Sequence, residues 1–79
     1  MNYQSILEII EFKLNSEHYY VLDNIRDCIL IGSTGGEIVM MVGKYLKDLK
    51  TNDNEVYLLL EENIEEYLLN CKKQGIIIR

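Results

Sequence analysis

Apolar residues recur along this chain mainly at spacings of three and four, the period of an amphipathic α-helix. In the first such segment the apolar stripe is Tyr3, Ile6, Leu7, Ile10 and Leu14. Asn15-Ser16 follows it as a plausible break. A second segment runs from about residue 17 to residue 31, and its stripe consists of Val21, Leu22, Ile25, Cys28 and Ile29. The spacing therefore predicts two helices in the first half of the chain.

The end of the second segment permits two interpretations. The apolar run 28–31 is compatible with a short strand, but the preceding turn already has helical spacing, so we favour a helix. Gly32 follows the last periodic residue, at the position where helices often end in a left-handed conformation. The sequence Ser33-Thr34-Gly35-Gly36 is the clearest interruption in the chain.

Two further helices are expected, from about Gly36 to Lys50 and from about Asp53 to Lys73. Asn52 with Glu55 three residues later resembles a capping box at the start of the last helix, and Gly75 is expected to end it. The apolar stripe of the third helix is Ile38, Met41, Val42, Tyr45, Leu46 and Leu49. That of the fourth is Tyr57, Leu60, Ile64, Leu68 and Cys71, with Tyr67 on the flank.

The last residues form an apolar tail, Ile76-Ile77-Ile78, before Arg79. Three consecutive β-branched residues favour an extended segment, either lying over the helices or pairing with a partner strand. Because the connections are short, consecutive helices should pack nearly antiparallel. We therefore predict a single all-α domain over residues 1–79, a compact bundle of three to four antiparallel helices with a short extended C-terminal tail.

Size and charge limit the functions that such a domain can have. A chain of 79 residues buries only about 60% of its unfolded surface, so a deep internal pocket is not expected. The formal net charge is −5. This sign argues against direct binding to nucleic acid or anionic membranes and favours electrostatic steering towards a basic partner.

The residues offer no recognisable catalytic constellation. The one histidine, His18, lies at the edge of the second helix, where we expect its polar tip to be exposed. The sequence offers no nucleophile that it could activate as a general base. Cys28 and Cys71 form no C-x-x-C pair and lie on apolar stripes, so buried free thiols are expected. The segment 34–37 lacks the lysine of a phosphate-binding loop. We expect a non-enzyme without catalytic residues, metal or other cofactor.

The sequence also carries an expectation about location. The first residues include Glu8 and Glu11 and lack a basic leader before an apolar run, unlike a signal peptide. Uninterrupted apolar runs reach five residues at most, far short of a membrane span. A cytoplasmic protein with reduced cysteines is therefore expected.

The densest charge feature is the group of Glu61, Glu62, Glu65 and Glu66 in the fourth helix. Like charges one turn apart destabilise a helix by about 0.2–0.5 kcal/mol per pair, and no Lys or Arg lies between Asp53 and Lys72. A plain solvated face and a docking face for a basic partner both remain open. A metal site is disfavoured because the Glu-x-x-His pair of helical di-metal sites is absent.

Exposed leucines are expected beside these carboxylates. On a helical wheel Leu58, Leu59 and Leu69 share the outer side with the glutamates, and Tyr20 and Ile31 lie similarly beside Asp27 in the second helix. Either a partner binds these residues or a neighbouring helix covers them. The partner-binding residues that we predict are Asp53, Glu55, Leu58, Glu61, Glu62, Glu65, Glu66 and Leu69.

Three segments carry a family resemblance. They are I-R-D-C-I-L-I-G at 25–32, G-E-I-V-M-M-V-G-K-Y-L at 36–46, and N-E-V-Y-L-L-L-E-E-N-I-E-E-Y at 54–67. Together they resemble the small immunity proteins of bacterial toxin systems, in particular the MafI-type family and its relatives from contact-dependent growth inhibition loci. Gly36-Glu37 and Glu55-Val56-Tyr57 take the places of that family's Gly-Glu helix start and its acidic residue before an apolar pair.

The resemblance implies an all-helical protein that neutralises a cognate toxin, often a nuclease, by covering its active site. The acidic charge is compatible with this role, since nuclease surfaces are typically basic. The alternative is a non-catalytic helical adaptor or regulatory subunit, and a homodimer formed through the outer leucines remains open.

Overall fold

Residues 2–78 are described by a computed structural model, and their secondary structure is helical. The helices are α1 (Tyr3–Lys13), α2 (Tyr20–Ile31), α3 (Gly35–Asn52) and α4 (Asn54–Lys73), with a single 3-10 turn at Ser16–His18. No strand occurs within residues 2–78. The predicted all-α bundle is therefore confirmed, and the run 28–31 is helical as favoured.

The four apolar stripes meet in one core, within a molecule measuring 32 × 23 × 21 Å. The most extensive contact is between α3 and α4, which are also the longest helices. Helix α2 packs mainly on α3, and α1 packs mainly on α4. The fully buried side chains are Ile6, Ile10, Val21, Ile25, Val42, Leu46, Val56, Leu60, Ile64 and Tyr67.

Side-chain caps set where three of the helices begin. Asn2 Oδ1 accepts the Ser5 N–H at 2.8 Å, and Thr34 Oγ1 accepts the Glu37 N–H at 3.1 Å. The Thr34 cap explains why α3 begins at Gly35, earlier than expected.

The expected capping box at the start of α4 is wrong. Asn52 is the last residue of α3, and the cap of α4 is Asp53, whose carboxylate accepts the Val56 N–H at 3.4 Å. One residue therefore separates the two longest helices, and its side chain satisfies a donor that the helix start leaves unpaired.

The second helix begins later than its periodicity indicated. Residues 16–18 form the 3-10 turn, in which the His18 N–H donates to the Asn15 carbonyl at 3.0 Å, and α2 starts only at Tyr20. The expectation of an exposed His18 is also wrong, since its side chain is only 14% exposed. His18 Nε2 lies 3.9 Å from Glu55 Oε1, which places the turn beside the start of α4.

Two glycines act in different ways at helix ends. Gly32 has φ −64°, so the expected left-handed conformation is wrong there. A Cβ at Gly32 would collide with the Ile38 side chain, which shows that glycine permits the close return of α3. Gly75 does have a left-handed φ of 79°. The Ile76 N–H then donates to the Cys71 carbonyl at 2.9 Å, which ends α4 as expected.

The C-terminal tail packs against α3 at a buried glycine. Ile76 and Ile78 are half-buried against the core. A Cβ built on Gly43 would lie 2.7 Å from Ile78 Cδ1 and 3.4 Å from Tyr67 Cε1, so the missing side chain leaves the space that Ile78 occupies. The Tyr67 hydroxyl donates to the Val39 carbonyl at 2.9 Å and joins α4 to α3 beside this contact.

The contact between Gly43 and Ile78 predicts non-additive effects on stability. Glycine inside a helix costs about 1 kcal/mol relative to alanine, so Gly43→Ala should stabilise an Ile78→Ala variant by about that amount. In the native chain the same change should be neutral or destabilising, because the new methyl group displaces Ile78. Urea unfolding of the four members of this double-mutant cycle measures the coupling. Additive effects would show that Ile78 does not occupy this space.

Candidate protein-interaction site

Helix α4 has one side in the core and an opposite side that the rest of residues 2–78 leaves exposed. At about 100° per residue, Leu58, Glu62, Glu65 and Leu69 form a stripe opposite the buried residues, with Glu55, Leu59 and Glu66 along one edge. We call these seven residues the outer face of α4. Its leucines are 62%, 54% and 52% exposed at positions 58, 59 and 69. The interpretation in which a neighbouring helix covers them is therefore wrong.

Most carboxylates of this region lack a counter-ion. The ion pairs found in residues 2–78 join His18 with Glu55, Arg26 with Glu11 and Asp23, and Lys44 with Asp48. Within that part of the chain, the side chains of Glu61, Glu62 and Glu66 enter no ion pair or hydrogen bond. Their negative potential is thus directed into solvent and attracts a positively charged partner.

Glu65 differs from the other glutamates because a buried tyrosine holds its carboxylate. Tyr57 is buried in the core, and its hydroxyl donates to Glu65 Oε1 at the surface. This hydrogen bond, with burial as a smaller cause, raises the pKa of Tyr57 to about 12. Lys50 Nζ lies 5.9 Å from the centre of the same ring. Glu65 is therefore anchored to the core, whereas Glu62 and Glu66 are free to adjust to a partner.

The remaining predicted residues lie at the margins of the outer face. Asp53 uses its carboxylate to cap α4. Glu55 has a side chain that is 79% exposed, although it lies near His18. Glu61 falls on the flank shared with Tyr57 and Leu68, away from the leucine edge. Six of the eight predicted residues therefore belong to the outer face of α4, whereas Asp53 and Glu61 lie outside it.

Groups that support metal or thiol chemistry are not assembled here. Among residues 2–78, no three His, Cys, Asp or Glu side chains come close enough to hold one metal ion. Cys71 is buried and Cys28 is half-buried, and burial is the main cause that raises the pKa of both thiols. Thiols that ionise above their ordinary pKa are weak nucleophiles, as expected for packing residues.

Sequence reasoning missed an exposed aromatic residue on α1. Phe12 is 91% exposed, and with Glu8, Glu11 and Tyr19 it borders a shallow surface recess of about 460 Å³. The signal was present, because Phe12 lies opposite the apolar stripe of α1 just as Leu58 does in α4. Exposed apolar groups also occur outside these two helices, at Leu30, Ile31, Met40 and Ile77.

Comparison with known proteins adds no assignment. No protein-family model, curated protein or solved structure matches the chain. In residues 2–78, no helix is long and apolar enough to cross a membrane. The functional argument consequently rests on the surface chemistry of the bundle.

If the outer leucines serve binding and not folding, polar substitution should leave stability nearly unchanged. Leu58→Ser and Leu69→Ser should each shift the free energy of unfolding by no more than about 0.5 kcal/mol, as expected at exposed sites. Leu60→Ala, two residues from Leu58 but fully buried, should cost about 2–5 kcal/mol. Urea unfolding of the three variants checks this, and a loss above about 2 kcal/mol for Leu58→Ser would contradict the exposure of that leucine.

The bond between Tyr57 and Glu65 predicts a dependence of stability on pH. Since folding raises the pKa of Tyr57, the bond stabilises the native state fully below about pH 10, and this contribution is lost as pH rises towards 12. Glu65→Gln should cost about 1 kcal/mol at pH 8 and progressively less above pH 10. Glu62→Gln, whose native carboxylate has no such bond, is the control. An equal and pH-independent effect of both substitutions would contradict the assignment.

Proposed function

We propose that this chain is an immunity protein, which binds a cognate toxin domain and neutralises it by covering its active site. The toxin is a basic domain, and a nuclease fits best because its cleft must attract phosphate groups. The chain itself performs no catalysis in this role and requires no metal or other cofactor. It acts in the cytoplasm, where the toxin's substrates lie.

One observation carries the proposal: three half- to two-thirds-exposed leucines lie on the longest helix of the bundle, among carboxylates most of which form no ion pair within residues 2–78. Scattered exposed leucines need no explanation, but these share one face with the glutamates. Interfaces commonly combine an apolar centre, which supplies affinity, with charged groups that orient the partners.

The arrangement of the face suits occlusion of a basic cleft. Leu58 and Leu69 are eleven positions apart, about 16 Å along the helix, and Glu62 and Glu65 lie between them. In the complex, these carboxylates would meet Lys, Arg or His side chains of the cleft while the leucines pack at its rim. The uncompensated charge would also raise the association rate, by as much as 10- to 1000-fold at low ionic strength.

The resemblance of segments 25–32, 36–46 and 54–67 to the immunity families supports the same conclusion from a separate direction. The pattern shared with those families consists mostly of residues that pack the helices together. A partner would instead contact the exposed face of α4. The structure adds no family assignment, so the test must come from the partner itself.

The direct test is to look for a toxin domain among the products of the neighbouring genes and to measure protection against it. Glu62→Lys/Glu66→Lys should weaken binding at least tenfold and abolish protection of cells that express the toxin domain. The matched control is Glu8→Lys/Asp27→Lys, which changes the net charge equally at two exposed positions on α1 and α2. Binding of the purified proteins at 50 mM and 300 mM salt separates local contacts from long-range attraction.

Two outcomes would contradict the proposal. The first is unchanged protection by the Glu62/Glu66 variant, which would exclude this face. The second is that no toxin is encoded nearby and that the free chain forms a stable dimer which Leu58→Ser or Leu69→Ser dissociates. That outcome would favour the alternative, a homodimeric adaptor or regulatory subunit, because the same exposed leucines would then face a second copy.

A further inference from the structure

A recess lies beside the C-terminal tail, apart from the outer face of α4. It is a groove of about 560 Å³, and its lining consists of Lys47, Leu68, Lys72 and the tail residues 75–78. A smaller recess of about 210 Å³ lies across the tail and shares Ile77 and Ile78 with it. The groove's volume of about 560 Å³ falls in the range of small-molecule sites, about 300–1,000 Å³.

The tail forms a wall of this groove because specific contacts hold it in place. The Ile76 N–H donates to the Cys71 carbonyl, and Ile78 fills the space above Gly43. At the far end, Lys47 Nζ donates to the Ile78 carbonyl at 3.4 Å. Ile77, between these two anchored residues, remains 69% exposed at the rim.

The chemistry of the lining is simple. Among the described residues of the lining, the apolar side chains are aliphatic, and none of the side chains is an aromatic ring for stacking a base or flavin, or a carboxylate or amide for binding a sugar. The polar side chains of these described residues are those of Lys47 and Lys72. In residues 2–78 neither is paired with a carboxylate, although the chain carries 13 acidic residues.

From this combination we propose that the groove binds a single-chain anionic amphiphile, that is, an alkyl chain with one carboxylate or phosphate head. The alkyl chain would lie along Leu68, Ile76 and Ile77. The head group would reach the ammonium groups of Lys47 and Lys72, where a charge-assisted hydrogen bond is favourable. The occupant is complementary to the groove both in its apolar character and in its charge.

Four variants separate the contributions of the alkyl chain and the head group. The probes are sodium laurate, dodecyl phosphate and 1-dodecanol, all below the concentration at which they form micelles, and binding is followed by NMR shifts of Ile and Leu methyl groups. Lys47→Gln/Lys72→Gln removes the charges of the groove. Lys13→Gln/Lys73→Gln is the matched control, with equal net charge at exposed positions outside the groove. Ile77→Ser and Ile9→Ser compare an apolar change in the groove with one elsewhere.

We expect laurate or dodecyl phosphate to shift the methyl groups of Leu68, Ile76 and Ile77, and to bind roughly five- to tenfold more tightly than dodecanol. The preference should disappear in the Lys47/Lys72 variant and persist in its control. Ile77→Ser should weaken the binding of laurate and of dodecanol alike. Comparison of laurate with dodecyl phosphate identifies the preferred head group.

Three results with the added probes would overturn the proposal. They are the absence of methyl shifts with any of the probes, equal binding of laurate and dodecanol by the native chain, and shifts centred on Leu58 and Leu69 instead of the groove. Concentration-dependent shifts at Ile77 without added probe would also overturn it, since a second copy of the chain would then occupy the groove. None of these measurements involves a toxin, so their failure is distinct from failure of the proposed function.

Discussion

The contact between α3 and α4 is the constraint on which the other features depend. These are the longest helices, and a single residue joins them, so they must pack along their length. The Tyr67 hydroxyl, which donates to the Val39 carbonyl, and the notch at Gly43 fix this contact away from the joint at Asp53. Because α1 and α2 occupy the remaining sides of the core, α4 has one buried side and one side that no other helix of residues 2–78 covers.

That constraint explains which parts of the fold were predictable. Periodicity alone identified the four apolar stripes, since burial of one side of each helix selects residues at helical spacing. Local chemistry identified Gly75 as the end of α4, but the cap at Asp53 was assigned one residue early because neighbouring Asn and Asp compete for that role. The delayed start of α2 and the packing reason for Gly32 were not predictable. The turn before α2 lies beside Glu55, far along the chain, and Gly32 contacts Ile38 of the next helix, so both involve packing between elements.

The two candidate sites also differ in how far the sequence alone predicts them. The outer face of α4 follows from the sequence, because every member lies on one helix and its direction is fixed by helical geometry. The special position of Glu65 was not apparent, since it requires knowing that the Tyr57 hydroxyl emerges at the surface. The groove was wholly outside sequence reasoning. It exists only because the tail returns over α3 and brings Ile77 near Lys47 and Lys72.

The central claim is that the outer face of α4 is bare in the free chain and becomes covered by a toxin domain. The most direct measurement is side-chain footprinting with a photochemically generated carbene, read by mass spectrometry, on the free chain and on its mixture with the neighbouring gene's product. The account predicts strong labelling of Leu58 and Leu69 when free and loss of that labelling in the mixture, while Phe12 or Leu30 remains labelled as an internal reference. The account would be contradicted if the partner left the labelling of both leucines unchanged. It would also be contradicted if both leucines were protected in the free chain.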